Sequence, residues 1–162
     1  MPKKIFTSLL ILLIWQCSFL SSSYSQSLGA PILKVRDFNG KIFEIDEHKN
    51  KAVLVLFWAQ WCGYCRREMI ELDEIYKIYK DKGLVIIALS IDHKENEEKV
   101  VNFANKLSYP SAFYSDAKTN FLNRKNTVPQ IQIVDKKRSI IYSLTGYVEK
   151  KEIIKAIDKA LF

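Results

Sequence analysis

Two apolar runs of strand length, each followed by a helical pattern, constrain the fold of this chain more than any other feature. The runs span residues 52–57 and 84–89, and neither alternates between apolar and polar side chains. Runs of this kind are typical of strands that are covered on both faces. Helical patterns follow at residues 62–82 and 92–106, and Gly83 ends the first of them. This order of strand, helix, strand and helix predicts an α/β fold with a parallel portion in its sheet.

The helical spacing also predicts which side chains face the sheet. A third helix is predicted over residues 149–161, and in each helix apolar residues recur on one face. The inward residues are predicted to be Cys65, Met69, Leu72, Tyr76 and Tyr79 in the first helix, Val100, Val101, Phe103, Ala104 and Leu107 in the second, and Ile153, Ile154, Ile157, Ala160 and Leu161 in the third.

Shorter elements lie on either side of these units. Residues 32–45 predict a β-hairpin, because the turn dipeptide Asn39-Gly40 tolerates the left-handed backbone of tight turns. The later elements are predicted to be a short strand at 112–114, a polar helical turn at 118–124 and an antiparallel pair of strands at 130–134 and 140–144. Together these elements predict a central mixed β-sheet flanked by helices, with an N-terminal β-hairpin extension.

The first 25 residues differ in kind from the rest. Two lysines precede the apolar run 9–15, and small residues follow up to Ser25. Because ~20 apolar residues are needed to cross a bilayer, this run favours a secretory signal peptide over residues 1–25 and one domain over residues 26–162. The alternatives are a retained membrane anchor and lipid attachment at Cys17. Each interpretation places the domain outside the cytoplasm, in the periplasm or its equivalent.

The composition is that of a folded domain. Hydrophobic residues make up 48% of the chain and charged residues 27%, which is typical of globular proteins. The formal net charge is +7, but the lysines are interleaved with acidic residues along the chain. The compact basic triplet at 136–138 is interpreted as a solvated turn. We therefore expect no nucleic-acid partner.

Cys62 and Cys65 stand at the start of the first predicted helix, separated by two residues. This spacing brings both sulfurs within reach of one another, so that a disulfide can form without movement of the backbone. The positive end of the helix dipole favours a thiolate at the leading position. Cys62 is therefore predicted to attack a substrate disulfide, and Cys65 to resolve the mixed disulfide that results.

A pair of cysteines at this spacing also occurs as a structural staple or as half of a zinc site. A structural zinc site needs four ligands, and residues 26–162 contain only these two cysteines together with His48 and His93. Trp61 and the predicted strand, turn and helix favour the redox interpretation. We expect no metal and no cofactor other than the redox-active disulfide.

Residues 57–65, Phe-Trp-Ala-Gln-Trp-Cys-Gly-Tyr-Cys, resemble the active-site segment of the thioredoxin superfamily. The resemblance extends over almost all of the chain after residue 26, and within the superfamily the chain is most similar to the TlpA/ResA family of extracytoplasmic thiol-disulfide oxidoreductases. It implies a thioredoxin-like fold and an enzyme that reduces protein disulfides. The residues predicted to contact the substrate are Trp61, Gly63, Tyr64, Val128 and Pro129.

The resemblance implies roles for residues away from the cysteines. Pro129 matches the family's cis-proline, whose loop offers backbone groups to a substrate, although a Val-Pro bond is trans by default. Val128 would line the same groove. Glu68 matches a family glutamate that lies one helical turn after Cys65 and exchanges a proton with the buried thiol. The alternative for Glu68 is a solvent-facing carboxylate paired with Arg67.

Three positions depart from related patterns. Leu56 stands where cytoplasmic thioredoxins have a buried aspartate, Tyr64 replaces a common proline, and Ile70 replaces a helix-kinking proline. Because the residues between the cysteines tune the redox couple, Tyr64 leaves a disulfide donor or isomerase as an alternative to a reductase. A peroxiredoxin is disfavoured, since Ala59 stands where that family has threonine. A role in copper delivery is disfavoured, because the cysteine spacing and the distant histidine that are typical of copper chaperones of related fold are absent from this sequence.

The implied partners follow from the family. They are exported proteins with disulfides, with the haem-site cysteines of apocytochrome c among the candidates, and a membrane electron donor that reduces the enzyme again. A monomer is expected, because a reductase must present its cysteine groove to varied clients.

Overall fold

The protein forms two sheets and three α-helices in a computed structural model that describes residues 31–121 and 127–162. The strands are β1 (Leu33–Arg36), β2 (Ile42–Glu44), β3 (Ala52–Trp58), β4 (Leu84–Ser90), β5 (Ser111–Phe113), β6 (Lys118–Thr119), β7 (Gln130–Val134) and β8 (Ile140–Thr145). The helices are α1 (Gly63–Tyr79), α2 (Glu97–Ala104) and α3 (Lys150–Leu161).

The central sheet has the strand order β5-β4-β3-β7-β8. β3, β4 and β5 are parallel, whereas β7 and β8 run antiparallel to their neighbours. All seven residues of β3 are buried, because this strand lies in the middle of the sheet and is covered on both faces. The predicted mixed sheet, with its parallel portion and its C-terminal hairpin, is confirmed.

Each face of the sheet packs against a different layer. On one face, side chains such as Leu54 and Leu56 form a single core with the buried residues of all three helices. On the other face, Val55 and Phe57 pack against the three-stranded sheet of order β2-β1-β6. The N-terminal hairpin is confirmed, and Gly40 adopts the positive φ of +81° that its turn requires. The fold is thioredoxin-like.

The first predicted helix ends earlier as an α-helix than its pattern suggested. α1 stops at Tyr79, and a 3-10 turn over Lys80–Lys82 leads into Gly83, whose φ is +102°. Ile75 is fully buried and belongs to the inward face, where the prediction had omitted it. Tyr76 and Tyr79 are only partly buried.

The prediction of a second helix over residues 92–106 is wrong in extent. The α-helix covers only Glu97–Ala104, after a 3-10 turn at Lys94–Asn96. The reason is that Asp92 does not begin a helix. Its carboxylate instead accepts hydrogen bonds from the active-site loop and from the end of β4.

The predicted helical turn at 118–124 is also wrong in the part that the structure describes. Residues 118 and 119 form β6, which pairs antiparallel with β1. The Thr119 hydroxyl donates a 2.8 Å hydrogen bond to the carbonyl oxygen of Ile32, and Phe121 is buried in the core beneath this sheet. Residues 122–126 lie outside the described part of the chain.

The predicted signal peptide over residues 1–25, with Cys17, also lies outside the described residues. Within residues 31–121 and 127–162, no helix combines the length and the apolar character needed to span a bilayer.

Candidate active site

The two cysteines form a disulfide at the N-terminus of α1. Cys62 is the extended residue that caps the helix, and its Sγ accepts a 3.1 Å hydrogen bond from the backbone N–H of Cys65. The Cα atoms of the two cysteines lie 5.2 Å apart. Cys62 retains 8% of its surface exposed, whereas Cys65 is completely buried. The predicted disulfide geometry is confirmed, and the structure leaves only the leading sulfur partly accessible.

The residues predicted to contact a substrate surround the exposed side of the disulfide. Trp61 and Tyr64 are 65% and 66% exposed, and Gly63 is exposed between the cysteines. The carbonyl oxygen of Val128 lies 3.9 Å from the Sγ of Cys62, and the Val128–Pro129 peptide bond is cis. The structure therefore brings both parts of the predicted groove together. Their contacts with substrate remain predictions.

The loop that precedes Cys62 is held in place by hydrogen bonds to both backbone groups of Gln60, its N–H and its carbonyl oxygen. The N–H of Gln60 donates a 2.7 Å hydrogen bond to Asp92, whose carboxylate also accepts the hydroxyl of Ser90 at 2.8 Å. The guanidinium of Arg66 donates to the carbonyl oxygen of Gln60 at 2.5 Å. Sequence reasoning missed Asp92. A signal was present, because Asp92 follows β4 where the carboxyl ends of neighbouring parallel strands meet.

Replacing Asp92 with alanine is expected to destabilise the protein by about 1–3 kcal/mol, because the N–H of Gln60 loses its acceptor in a partly buried position. Urea unfolding measures this effect. Asp116→Ala serves as the control, since Asp116 forms a surface ion pair with Lys94, at 2.8 Å; such pairs contribute less than ~1 kcal/mol. Equal losses in the two variants would show that the Asp92 contact does not hold the loop.

Glu68 lies on α1 and is fully buried, with 0% of its surface exposed. Its Oε1 accepts a 2.9 Å hydrogen bond from the N–H of Val148, while Oε2 has no hydrogen-bond partner among the residues that the structure describes. Burial raises the pKa of Glu68 from 4.5 to about 7; the N–H of Val148 opposes this shift and the charge of Glu71 adds to it. The solvent-facing alternative is wrong, because Arg67 pairs with Glu71 instead, at 3.1 Å.

The two histidines lie in different surroundings, and His93 lines the same surface cavity as Trp61. His48 packs against the ring of Phe43 with 4.9 Å between ring centroids, and His93 is exposed. In the part of the chain that the structure describes, no three histidine, cysteine, aspartate or glutamate side chains are grouped so that they could hold a metal ion.

A thioredoxin-like fold that carries a CxxC disulfide at the start of its first long helix defines the class of thiol-disulfide oxidoreductases, and this protein is an enzyme of that class. The chain belongs to the AhpC/TSA family, whose sequence profile matches residues 28–150. It is 33% identical over 139 residues to thiol-disulfide oxidoreductase ResA from Bacillus thuringiensis, which corresponds to 83% of this chain and 79% of that protein.

Solved structures share the fold of this chain. A thiol:disulfide interchange protein of the thioredoxin family from Chlorobium tepidum superposes with a TM-score of 0.71 at 19% identity, over 82% of this chain and 95% of the other. A thioredoxin-like protein from Porphyromonas gingivalis gives a TM-score of 0.64 at 28% identity, over 82% of this chain and 91% of the other.

Proposed function

We propose that this protein is a reductase of protein disulfides that works outside the cytoplasm. The observation that carries the proposal is the disulfide at the N-terminus of α1, in which only Cys62 is partly exposed and faces the Val128 carbonyl at 3.9 Å. An accessible leading sulfur and a buried second sulfur are the arrangement that attack and resolution require.

The reaction transfers two electrons from the reduced cysteine pair to the substrate. The Cys62 thiolate attacks one substrate sulfur, and the other substrate sulfur leaves as a thiolate. The Cys65 thiolate then attacks the Sγ of Cys62, which releases the second substrate sulfur and forms the disulfide between the two cysteines. A dithiol donor must afterwards reduce this disulfide. No cofactor beyond the cysteine pair takes part.

Glu68 supplies the proton chemistry in this proposal. Cys65 is buried and must lose its proton before it can attack, and Glu68 lies one helical turn further along α1. Its pKa of about 7 lets the carboxyl group change protonation state in the neutral range, as a general base or acid must. Glu68 therefore accepts the Cys65 proton and returns it when the pair is reduced again.

The pattern of the first 25 residues supports a location outside the cytoplasm, in the periplasm or its equivalent. The substrates in this proposal are exported proteins with disulfides, with apocytochrome c as one candidate from the family resemblance. The electron donor is a membrane protein. The enzyme acts as a monomer and has no nucleic-acid partner.

Tyr64 favours a second candidate function, a disulfide donor or isomerase. This residue stands between the cysteines and is 66% exposed, so it can affect both the redox couple and the contact with substrate. The two candidates differ in the direction of electron flow, which the reduction potential reports.

The reduction potential of the Cys62–Cys65 couple is expected near −270 mV, the value of thioredoxin-type reductases. We would equilibrate the chain starting at Gln26, which lacks Cys17, against dithiothreitol buffers and quantify the free thiols. The Cys65→Ser variant, which cannot form the disulfide, provides the baseline. A potential between about −180 and −120 mV would instead identify an oxidant or isomerase and reverse the proposed direction.

A further inference from the structure

Tyr147 anchors the turn that follows β8, residues 146–148, to the side of α1. The Tyr147 hydroxyl lies 3.0 Å from each carboxylate oxygen of Glu71 and donates to this group. The guanidinium of Arg67 lies over the Tyr147 ring, 4.9 Å from its centroid. The ring of Tyr64 is 6.0 Å from that of Tyr147. The Tyr147 side chain thus contacts one of the two residues between the cysteines, Tyr64, and two charged residues of α1.

The backbone of the same turn reaches the rest of the site. The N–H of Gly146 donates a 2.8 Å hydrogen bond to the carbonyl oxygen of Pro129. The N–H of Val148 donates to the buried Oε1 of Glu68 at 2.9 Å. Because Tyr147 lies between these two residues in the chain, anchoring its side chain restrains both backbone contacts. Residues 146–148 therefore connect the proline loop, the buried carboxyl group and the cysteine motif.

We propose that Tyr147 is a positioning residue, which fixes residues 146–148 through Glu71 and so holds the N–H of Val148 against Glu68. This role rests on the proposed function, since it matters for catalysis only if Glu68 exchanges protons with Cys65. The residue itself does not need to touch the substrate or the sulfurs.

Among the described residues, four titratable groups interact electrostatically with Glu68. Glu71 lies on the same helix, and its charge raises the pKa of Glu68. The phenols of Tyr109, Tyr142 and Tyr147 interact with the charge of Glu68 from the loop before β5, from β8 and from the turn. Burial raises the pKa of each phenol above its usual range, so these groups are uncharged near neutral pH. The influences on the pKa of Glu68 that a substitution can change are therefore the charge of Glu71 and the hydrogen bond from the Val148 N–H.

This arrangement predicts shifts of opposite sign in two conservative variants. Tyr147→Phe removes the anchoring hydrogen bond to Glu71, and the hydrogen bond from the Val148 N–H to the Glu68 carboxylate weakens as a result. Because that hydrogen bond stabilises the charged form of Glu68, the titration midpoint of Glu68 rises. In Glu71→Gln the amide oxygen still accepts the Tyr147 hydroxyl, but the negative charge is gone, so the midpoint falls. Each shift is expected to be roughly half a pH unit to one unit.

The titration of the Glu68 carboxyl carbon by ¹³C NMR, in the oxidised full-length chain, tests this directly. Tyr142→Phe is the matched control, because it removes another phenol that interacts electrostatically with Glu68 but leaves the contact between Tyr147 and Glu71 intact. A Tyr147→Phe midpoint equal to that of Tyr142→Phe, or shifts of the same sign in Tyr147→Phe and Glu71→Gln, would overturn the proposal. The measurement involves no turnover, so its failure is distinguishable from a failure of Cys62 to reduce substrates.

Discussion

Replacement of Cys62 with serine is expected to lower the rate of insulin disulfide reduction by at least ~10³-fold, as is typical when an enzyme loses its nucleophile. Cys62 is the sulfur that a substrate can reach, because 8% of its surface is exposed whereas Cys65 has none. Replacement of Cys65 with serine should also stop turnover, but at a later step. The attack by Cys62 still takes place, and the mixed disulfide then accumulates because no second thiol can resolve it.

Reduced variants mixed with an oxidised protein substrate, followed by gel electrophoresis without reductant, separate these two outcomes. Cys65→Ser should give a covalent adduct that a thiol reagent releases, and Cys62→Ser should give none. Cys17→Ser is the matched control, since it removes the third cysteine of the chain and should leave the rate unchanged. An adduct formed by Cys62→Ser and not by Cys65→Ser would reverse the assigned roles.

The part of the fold that could be predicted from sequence is the part that depends on local pattern. β3 and β4 are uninterrupted apolar runs because the middle of the sheet is covered on both faces. The N-terminal hairpin and the end of the first helical segment were predictable for a different reason, since Gly40 and Gly83 both adopt positive φ values that other residues rarely tolerate.

The missed elements depend on contacts between distant parts of the chain. β6 is two polar residues long, and it is a strand only because Lys118 and Thr119 pair with β1. Asp92 resembles a helix start in sequence, yet its carboxylate is bound by the Gln60 N–H across the sheet. Local composition carries no information about such partners.

The site shows the same division. The cysteine pair could be predicted from its spacing, whereas Tyr147 could not, because its partner Glu71 is far away in the sequence. Glu68 is intermediate between these cases. It follows Cys65 by three residues and precedes Leu72 by four, so helical spacing places it on the buried face with them. That spacing already contradicted a solvent-facing carboxylate.

Glu68→Gln is expected to make the protein more stable above pH 7, by up to about 3 kcal/mol in the free energy of unfolding. Folding raises the pKa of this carboxyl group from 4.5 to about 7, because burial disfavours the carboxylate. Between these two values the folded state binds more protons than the unfolded state, so the stability of the wild type falls as the pH rises. Below pH 4.5 the group is protonated in both states and this loss is absent. A glutamine at position 68 carries no charge at any pH, so the variant does not lose stability in this way.

Urea unfolding of both proteins at pH values from about 4 to 8 measures the difference, which should grow between pH 4.5 and 7 and then stay constant. Glu74→Gln is the matched control, because Glu74 is an exposed residue of α1 that pairs with Lys150 at the surface. The free energy of unfolding of this variant should therefore change with pH in nearly the same way as that of the wild type. A constant difference for Glu68→Gln over this range would contradict a raised pKa. A growing difference would mean that the chain keeps a carboxyl group at a cost to its own stability, which is expected where that group performs proton chemistry at a site.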